Sequence, residues 1–128
     1  MCGLFFTINN KNSNNISDSN FKNCVNFLSH RGPDDDGFFK VDHKNHSLKF
    51  GFKRLSIQDL SIKGHQPMIS SDQSVLIFNG EIYNKNILKD LLIKNFSIQF
   101  KGTSDSEILL NFLDYFDYKK FFEIVDGM

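Results

Sequence analysis

The first part of the chain alternates between short apolar runs and polar stretches. The apolar run Leu4–Ile8 predicts a buried strand, and the polar stretch Asn9–Asn20 predicts a loop. Apolar residues then recur at the spacing of one helical face, namely Phe21, Cys24, Val25 and Leu28. The polar residues just before this face are the candidate N-caps, Ser17, Asp18 and Ser19. The pattern therefore predicts a strand, a loop and a helix in that order.

Turn formers and β-like runs follow this helix. Gly32-Pro33 predicts its end, and Asp34–Gly37 predicts a turn. The runs Phe38–Val41 and Leu48–Phe52, joined by the polar connection Asp42–Ser47, predict a β-hairpin.

The next segments combine a long loop with one strong strand signal and a helical pattern. Arg54–Ser74 is predicted to be mostly loop, and Val75–Phe78 is the strongest strand signal in the chain. Asn84 is placed to cap a helix whose apolar face carries Ile87, Leu88, Leu91 and Leu92. Ser97–Phe100 predicts a short strand.

The last part of the chain is predicted to be helical. Ser104–Glu107 has the spacing of a capping box ahead of the apolar run Ile108–Phe116, and Asp117–Met128 predicts a further helical turn. No internal repeat and no dividing linker is visible, so residues 1–128 are interpreted as one domain. The order of elements predicts an α+β fold with largely antiparallel strand pairing.

Composition narrows the class of protein. The 128 residues include 15 Phe and carry 15 basic and 15 acidic side chains, so the formal net charge is zero. This balance argues against binding to nucleic acid or to anionic membranes, since both require a sustained positive field. No run approaches the roughly 20 apolar residues of a membrane span, and the N-terminus lacks the pattern of a signal peptide. With only two cysteines, a reducing, cytoplasmic location is expected.

Cys2 is the most informative candidate for chemistry. If Met1 is removed, a thiol and a free α-amine belong to the same residue. An α-amine has an ordinary pKa of about 7.7–8.0, so near neutral pH a fraction of it is unprotonated and can activate the thiol as a base. The alternative interpretation is that Cys2 is a small residue at the start of a strand.

Asn79 and Gly80 are candidates for an oxyanion hole. Acyl transfer to a thiol requires hydrogen-bond donors aimed at the oxygen that becomes negative. The side-chain amide of Asn79 and the backbone N–H of Gly80 are two such donors. The alternative is a plain hairpin turn, for which Asn-Gly is the strongest short signal, although Glu81–Asn84 continues in a way that a two-residue hairpin does not require.

Arg54 and Asp105 are candidates for binding a free amino acid. A guanidinium at a strand end is suited to bidentate binding of a carboxylate, and Asp105 could receive an ammonium group. Together they would direct the side chain of the amino acid towards Cys2. The alternative for Asp105 is that it only complements the dipole of the last long helix.

The remaining polar residues favour no further site. Cys24 is interpreted as a core thiol, and Asp34–Asp36 as a solvated turn. The histidines show no metal-ligand spacing, so no metal site is predicted; they are His30, His43, His46 and His65. No phosphate-binding glycine loop occurs, so no nucleotide cofactor is expected in this segment.

Six motifs occur in the order expected of one family. They are Met1-Cys2-Gly3, Arg31-Gly32-Pro33-Asp34, Arg54-Leu55-Ser56-Ile57, Gly64-His65-Gln66-Pro67-Met68, Asn79-Gly80-Glu81-Ile82-Tyr83-Asn84 and Ser104-Asp105-Ser106-Glu107. Through them the whole chain resembles the N-terminal glutaminase domain of glutamine-hydrolysing asparagine synthetases. These are class II glutamine amidotransferases with an N-terminal nucleophile. The third and fifth motifs favour this branch over the sugar-phosphate and purine amidotransferases.

The resemblance implies a fold, a reaction and a set of roles. The fold is the four-layer α/β/β/α sandwich of N-terminal nucleophile hydrolases. Cys2 would attack the side-chain amide of glutamine, a thioester would form with release of ammonia, and water would free glutamate. Asn79 and Gly80 match the oxyanion hole, and Arg54 matches the carboxylate-binding residue. The other positions matching glutamine-binding residues are Leu55, Ser56, Ile57, Gln58, Glu81 and Asp105, with Asp105 holding the amine.

The chain also departs from the family pattern. Phe52 stands where the family often has a histidine, and the turn Arg31–Asp34 is expected to be structural or interfacial. Family members continue into a synthetase domain that uses ATP and Mg²⁺, so this chain is interpreted as truncated, with an incomplete sheet and an uncovered apolar edge. Its expected partners are glutamine and a synthetase domain or chain, with the oligomeric state open. A catalytically inactive remnant that binds only glutamine or a partner is the alternative.

Overall fold

The computed structural model describes residues 1–12 and 15–128, so part of the predicted loop Asn9–Asn20 lies outside the described residues. The chain forms two compact units. The first comprises Met1–Ser56, His65–Pro67 and Ile77–Asn79, and the second comprises Ile57–Gly64, Met68–Leu76 and Gly80–Met128.

The first unit is built on a three-stranded antiparallel sheet with the order β1-β3-β2. Its strands are β1 (Gly3–Asn10), β2 (Asp35–His43) and β3 (His46–Arg54). The predicted hairpin is confirmed, and both of its strands are longer than predicted. The strand predicted at Leu4–Ile8 is present within β1, but it is not buried, because Leu4, Phe6 and Ile8 are exposed. Its connection is tightened at Lys44, whose φ of 50° lies in the left-handed region.

The predicted turn at Asp34–Gly37 is wrong for most of its length. Asp35 and Asp36 pair with Arg54 and Lys53 at the end of β3, so they belong to a strand. These pairings follow from the register of the hairpin formed by β2 and β3. The three consecutive aspartates, taken as a local sequence, do not indicate a strand.

Helix α1 (Asp18–Asn26) packs on one face of this sheet. Ser17 is its N-cap, because its side chain accepts a hydrogen bond from the backbone N–H of Asn20 at 3.1 Å. Phe21 is fully buried, with its ring centroid 5.0 Å from that of Phe5 and 5.5 Å from that of Phe38. The predicted helix is therefore confirmed and supplies the core of the first unit.

Two details of this helix differ from the prediction. Cys24 is half-buried, so it is not a fully buried core thiol. The helix ends at Asn26, ahead of Leu28 and of the predicted stop at Gly32-Pro33, and hydrogen-bonded turns follow it.

The strand predicted at Val75–Phe78 is only partly confirmed. Strand β5 (Val75–Leu76) pairs antiparallel with β4 (Met68–Ile69) in the second unit. Phe78 belongs to the first unit, where its backbone N–H donates to the side chain of Gln66 at 2.6 Å. The Gln66 side chain therefore accepts a hydrogen bond from the backbone N–H of Phe78, which would pair with a neighbouring strand if β5 extended this far. The predicted loop Arg54–Ser74 otherwise holds, apart from Arg54, which ends β3, from β4 and from a short 3₁₀ helix at Ile62–Gly64.

The second unit is mainly helical, with α2 (Lys85–Phe96), α3 (Asp105–Tyr115) and α4 (Tyr118–Ile124). Its fully buried apolar side chains include Leu88, Leu92 and Phe112. The predicted strand Ser97–Phe100 is wrong, because Ser97 closes α2 with a φ of 56° and the following residues are irregular.

The ends of these helices correct two capping predictions. Asn84 precedes α2 but makes no side-chain cap bond; its amide instead donates to the carbonyl of Ile124 at 2.7 Å and accepts from the N–H of Asp126 at 3.0 Å. Ser104 does cap α3, whereas the carboxylate of Glu107 bonds to the preceding loop and not to Ser104.

The end of the chain is only partly the helical turn that was predicted for it. After α4, Gly127 forms an antiparallel bridge with Ile82, flanked by backbone bonds between Glu81 and Met128 and between Tyr83 and Asp126. The structure is thus a mixed α/β fold with antiparallel sheets, which confirms the predicted class. No helix among the described residues is long and apolar enough to cross a membrane.

Candidate active site

Cys2 lies directly before β1 and is held by its neighbours in the first unit. Its Sγ accepts a hydrogen bond from the backbone N–H of Leu55 at 3.3 Å and lies 3.7 Å from the carbonyl oxygen of the same residue. The Nε–H of Arg31 donates to the backbone carbonyl of Cys2 at 3.0 Å. Both the sulfur and the backbone of this half-buried residue therefore have fixed partners.

The turn Arg31–Asp34 joins the start of the chain to the end of β3. A Cβ on Gly32 would clash with the carbonyl oxygen of Lys53, so only glycine permits this close approach. The backbone N–H of Asp34 donates to the carbonyl of Arg54 at 3.0 Å, and its carboxylate accepts from the N–H of Ser56 at 2.7 Å. The structural role expected for this turn is thus visible in its contacts.

Arg54 is the last residue of β3 and is 7% exposed. Its Nη1 lies 3.9 Å from Oδ2 of Asp35, and the same oxygen lies 2.8 Å from Nδ1 of His65. Asp35 is therefore shared by an arginine and a histidine, and the interpretation of Asp34–Asp36 as a solvated turn is wrong for this half-buried strand residue. It holds for Asp34, which is exposed and precedes β2. The side chain of Asp36 is solvated, being 70% exposed, but the residue belongs to β2 and not to a turn.

Phe52 occupies the position where a histidine was expected, two residues before Arg54. Its side chain is 1% exposed. A packed phenyl ring therefore replaces whatever polar contact a histidine would make at this point of β3.

Asn79 closes the segment Ile77–Asn79 of the first unit and is half-buried. Its backbone is fixed at the preceding residue, Phe78, by the carbonyl oxygen of the buried Gln66 side chain. Gln66 received no role from the sequence beyond its place in the Gly64–Met68 motif.

Gly80, Glu81, Ile57 and Gln58 belong to the second unit and are exposed. The Nε2 of Gln58 donates to Glu81 at 3.2 Å, and Lys85 Nζ donates to Oε1 of Gln58 at 2.6 Å. Two predicted glutamine-binding side chains, Gln58 and Glu81, are therefore in direct contact. Lys85, which orients Gln58, carries no sequence signal for this role.

Asp105 is the first residue of α3 and is 7% exposed. Its Oδ2 accepts a hydrogen bond from the backbone N–H of Ile82 at 3.2 Å. The carboxylate thus contacts the Asn79–Asn84 motif within the second unit, besides lying in the first turn of a helix, where a negative charge is favourable.

Asp59 fixes the loop before α3 and was missed by sequence reasoning. Its carboxylate accepts from the hydroxyl of Ser61 at 2.6 Å and from the backbone N–H groups of Ser61 and Thr103, both at 2.9 Å. The hydroxyl bond, followed by these backbone bonds, holds the pKa of Asp59 well below its usual range. The only local signal was an Asp two residues before a Ser, a common turn pattern.

Glu107 holds the same loop from the other side. Its carboxylate accepts from the backbone N–H of Lys101 at 2.7 Å and of Gly102 at 2.8 Å. Three consecutive N–H groups, from Lys101 to Thr103, therefore end on two buried carboxylates. This arrangement fixes the chain immediately before Ser104 and Asp105.

The described residues, 1–12 and 15–128, contain no group of three or more His, Cys, Asp or Glu side chains that could hold a metal ion. In the first unit, polar groups contact the thiol of Cys2 and the guanidinium of Arg54, and in the second unit a backbone N–H donates to the carboxylate of Asp105.

The sequence matches the family described as glutamine amidotransferase domain over residues 1–128. The chain belongs to this glutamine amidotransferase family, an enzyme family.

Two curated relatives are the asparagine synthetases [glutamine-hydrolyzing] 1 and 2 of Bacillus subtilis. Each is 38% identical over 114 residues, covering 86% and 87% of this chain respectively. The amidase chyE of Penicillium rubens is 38% identical over 90 residues, or 70% of this chain. The chain spans only 17%, 14% and 12% of the length of these three relatives. The resemblance predicted from the motifs is confirmed.

Proposed function

We propose that this chain hydrolyses the side-chain amide of glutamine to glutamate and ammonia, with Cys2 as the nucleophile. The observation that carries the proposal is the contact between Sγ of Cys2 and the backbone N–H of Leu55, next to the buried Arg54. A hydrogen bond to sulfur stabilises the developing thiolate. Membership of the glutamine amidotransferase family supports the choice of substrate.

The proposed reaction starts with the removal of Met1. The α-amine of Cys2 takes the thiol proton, and the sulfur attacks the amide carbon of the substrate. The negative oxygen of the tetrahedral intermediate accepts hydrogen bonds from the Asn79 amide and the Gly80 N–H. The C–N bond then breaks, the proton held by the amine passes to the leaving nitrogen, and ammonia departs. Water hydrolyses the remaining thioester to release glutamate and restore the thiol.

The remaining residues are proposed to bind the amino-acid end of glutamine. Arg54 would hold the α-carboxylate, with the chain Leu55–Gln58 beside it, and Asp105 would hold the α-ammonium. Glu81 would line the substrate. The burial of Arg54 and Asp105 supports these roles, because a charge-assisted hydrogen bond is stronger where water is excluded.

A four-layer sandwich is part of the proposal for the fold. Helix α1 covers one face of the sheet, while the apolar side chains Leu4, Phe6 and Ile8 alternate onto the opposite face and are exposed. An apolar sheet face of this kind is suited to packing on a second sheet about 10 Å away.

The use of the ammonia is also a proposal. The names of the Bacillus relatives suggest transfer to an asparagine synthetase activity, which would require ATP and Mg²⁺ in a domain or chain other than residues 1–128. We assign none of the described residues to ATP or Mg²⁺. The interpretation of residues 1–128 as one domain and the cytoplasmic location stay predictions, and the oligomeric state stays open.

Labelling with a glutamine-mimicking diazoketone tests the nucleophile. Mass spectrometry of the labelled protein should place the modification on an N-terminal peptide that lacks Met1. Cys2→Ser should abolish both labelling and ammonia release, whereas Cys24→Ser, the matched control at the other cysteine, should retain both.

Two outcomes would contradict the proposal. Labelling that persists in Cys2→Ser would assign the reactivity to another group. Glutamine binding by the folded wild-type protein, without labelling or ammonia release, would favour the inactive remnant.

A further inference from the structure

The motif Gly64–Met68 has no role in the proposed chemistry, yet its central residue is among the most buried polar side chains of the first unit. Gln66 is 4% exposed. Its Oε1 accepts a hydrogen bond from the backbone N–H of Phe78 at 2.6 Å. Phe78 directly precedes Asn79, so this bond fixes the peptide that leads into the proposed oxyanion donor.

The backbone around Gln66 is itself anchored to strand β2. A Cβ on Gly37 would clash with the carbonyl oxygen of Gln66, so the two chains meet at a distance that only glycine allows. One residue earlier, Nδ1 of His65 lies 2.8 Å from Oδ2 of Asp35. Asp35 and Gly37 both belong to β2. The segment His65–Pro67 thus connects the central sheet to the segment Ile77–Asn79.

We propose that Gln66 is a positioning residue that sets the place of the Asn79 amide, an inference that rests on the proposed function. An oxyanion donor stabilises the transition state only when it lies within hydrogen-bond distance of the oxygen that becomes negative. The two halves of the segment have separate tasks. His65 and the backbone of Gln66 hold the segment His65–Pro67 on β2. The Gln66 side chain then fixes Phe78 by accepting a hydrogen bond from its backbone N–H.

This role predicts an effect on catalysis that differs from a loss of substrate binding. Asn79 acts on charge that develops during the reaction, so displacing it lowers kcat and leaves ground-state binding of glutamine almost unchanged. A displacement of about 1 Å is enough to lower the rate by roughly 10- to 100-fold.

Steady-state kinetics of three variants tests the inference. Gln66→Met keeps the length of the side chain but removes the acceptor, and should lower kcat by roughly 10- to 100-fold with little change in KM. Gln66→Glu keeps an acceptor oxygen and should recover most of the lost kcat. Gln99→Met, the same substitution at an exposed glutamine, is the control and should match the wild type.

Two further measurements separate positioning from general stability. Hydrogen exchange at the Phe78 amide should be fast in Gln66→Met and slow in Gln66→Glu. Calorimetric binding of glutamine in a Cys2→Ser background should be unaffected by Gln66→Met. If Gln66→Met does not fold, Gln66→Asn, which withdraws the acceptor by one methylene, is the deciding variant and should show the same selective loss of kcat.

The outcomes distinguish this inference from the proposed function. Wild-type kcat in a folded Gln66→Met or Gln66→Asn protein overturns the inference while Cys2-dependent hydrolysis stands. Equal losses in Gln66→Met and Gln66→Glu, in proportion to their loss of thermal stability, also overturn it. A folded wild-type protein without any glutamine hydrolysis overturns the proposed function and, with it, this role of Gln66.

Discussion

The guanidinium of Arg31 holds the backbone of Cys2, because its Nε–H donates to the Cys2 carbonyl oxygen at 3.0 Å. The two residues are far apart in the sequence, and the turn Arg31–Asp34 brings them together. The bond acts on the backbone and leaves the sulfur to its contact with Leu55. One residue of the turn therefore orients the proposed nucleophile without touching the reacting atom.

Arg31→Lys is expected to slow the reaction of Cys2. An ammonium cannot reproduce the planar, directed Nε–H, and a hydrogen bond from a charged donor contributes about 1.5–3 kcal/mol. The rate of diazoketone labelling should fall by roughly tenfold or more, while urea unfolding reports any loss of stability. An unchanged labelling rate would show that the Cys2 backbone is held by its other contacts alone.

Gly32→Ala is expected to destabilise the first unit. The new methyl group would meet backbone atoms of Lys53 and Arg54, which cannot rotate away as a side chain could. Overpacking of this kind costs about 1–3 kcal/mol, which urea unfolding would measure. Ser19→Ala, an exposed position in α1, is the control and should be nearly neutral. A stability equal to the wild type would contradict the close approach at Gly32.

Asp59→Asn is expected to destabilise the protein in a pH-dependent way. The folded-state pKa of Asp59 lies below its unfolded value because Ser61 and Thr103 donate hydrogen bonds to the charged form. Its contribution is therefore fully present above the unfolded pKa of about 3.9 and is lost as the pH falls through the folded value.

Urea unfolding of the wild type and of Asp59→Asn should show this difference. We expect the free energy of unfolding of the wild type to exceed that of Asp59→Asn by about 1–3 kcal/mol at pH 7. This difference should narrow steadily below pH ~4. The pKa of Asp18 is also lowered, because Lys49 donates a hydrogen bond to it. Asp18 is present in both proteins, so its effect on the free energy of unfolding cancels in the difference between them. A gap that stays constant down to strongly acidic pH would mean that the charge of Asp59 is not what stabilises the loop.

Asn84→Leu is expected to loosen the pairing between Glu81–Tyr83 and the end of the chain. The substitution removes the bonds to Ile124 and Asp126, and amide exchange at Tyr83 should become faster. Asn86→Leu, two positions along and exposed, should leave this exchange unchanged. If the Tyr83 amide exchanges at the same rate in both variants, the pairing is stabilised by its backbone hydrogen bonds alone and not by the Asn84 side chain.

The elements that the sequence predicted well are those with a repeated local pattern. The apolar run within β1, the helical face around Phe21 and the Ser104 cap are all properties of neighbouring residues, and the structure confirms the strand, the helix and the cap. The motifs also identified the family, because several short signatures in a fixed order rarely occur together by chance.

The elements that were missed depend on partners distant in the chain. Phe78 leaves the predicted strand because Gln66 takes its N–H, and Asp35 joins a strand because the hairpin register places Arg54 opposite it. From the sequence, Asp59 has only the pattern of an ordinary turn residue. In the structure its carboxylate also accepts a hydrogen bond from the backbone N–H of Thr103, which is distant in the chain. Local propensity contains no information on these contacts.

The shared carboxylate of Asp35 makes Arg54 and His65 energetically dependent on each other. One oxygen of Asp35 lies near both Arg54 and His65, so removing either side chain changes the interaction of the other with this carboxylate. Substitutions at these two positions should therefore be non-additive, and only a double-mutant cycle can separate their contributions. A loss of glutamine affinity in a His65 variant would accordingly be an effect transmitted through a carboxylate, even if the imidazole never meets the substrate.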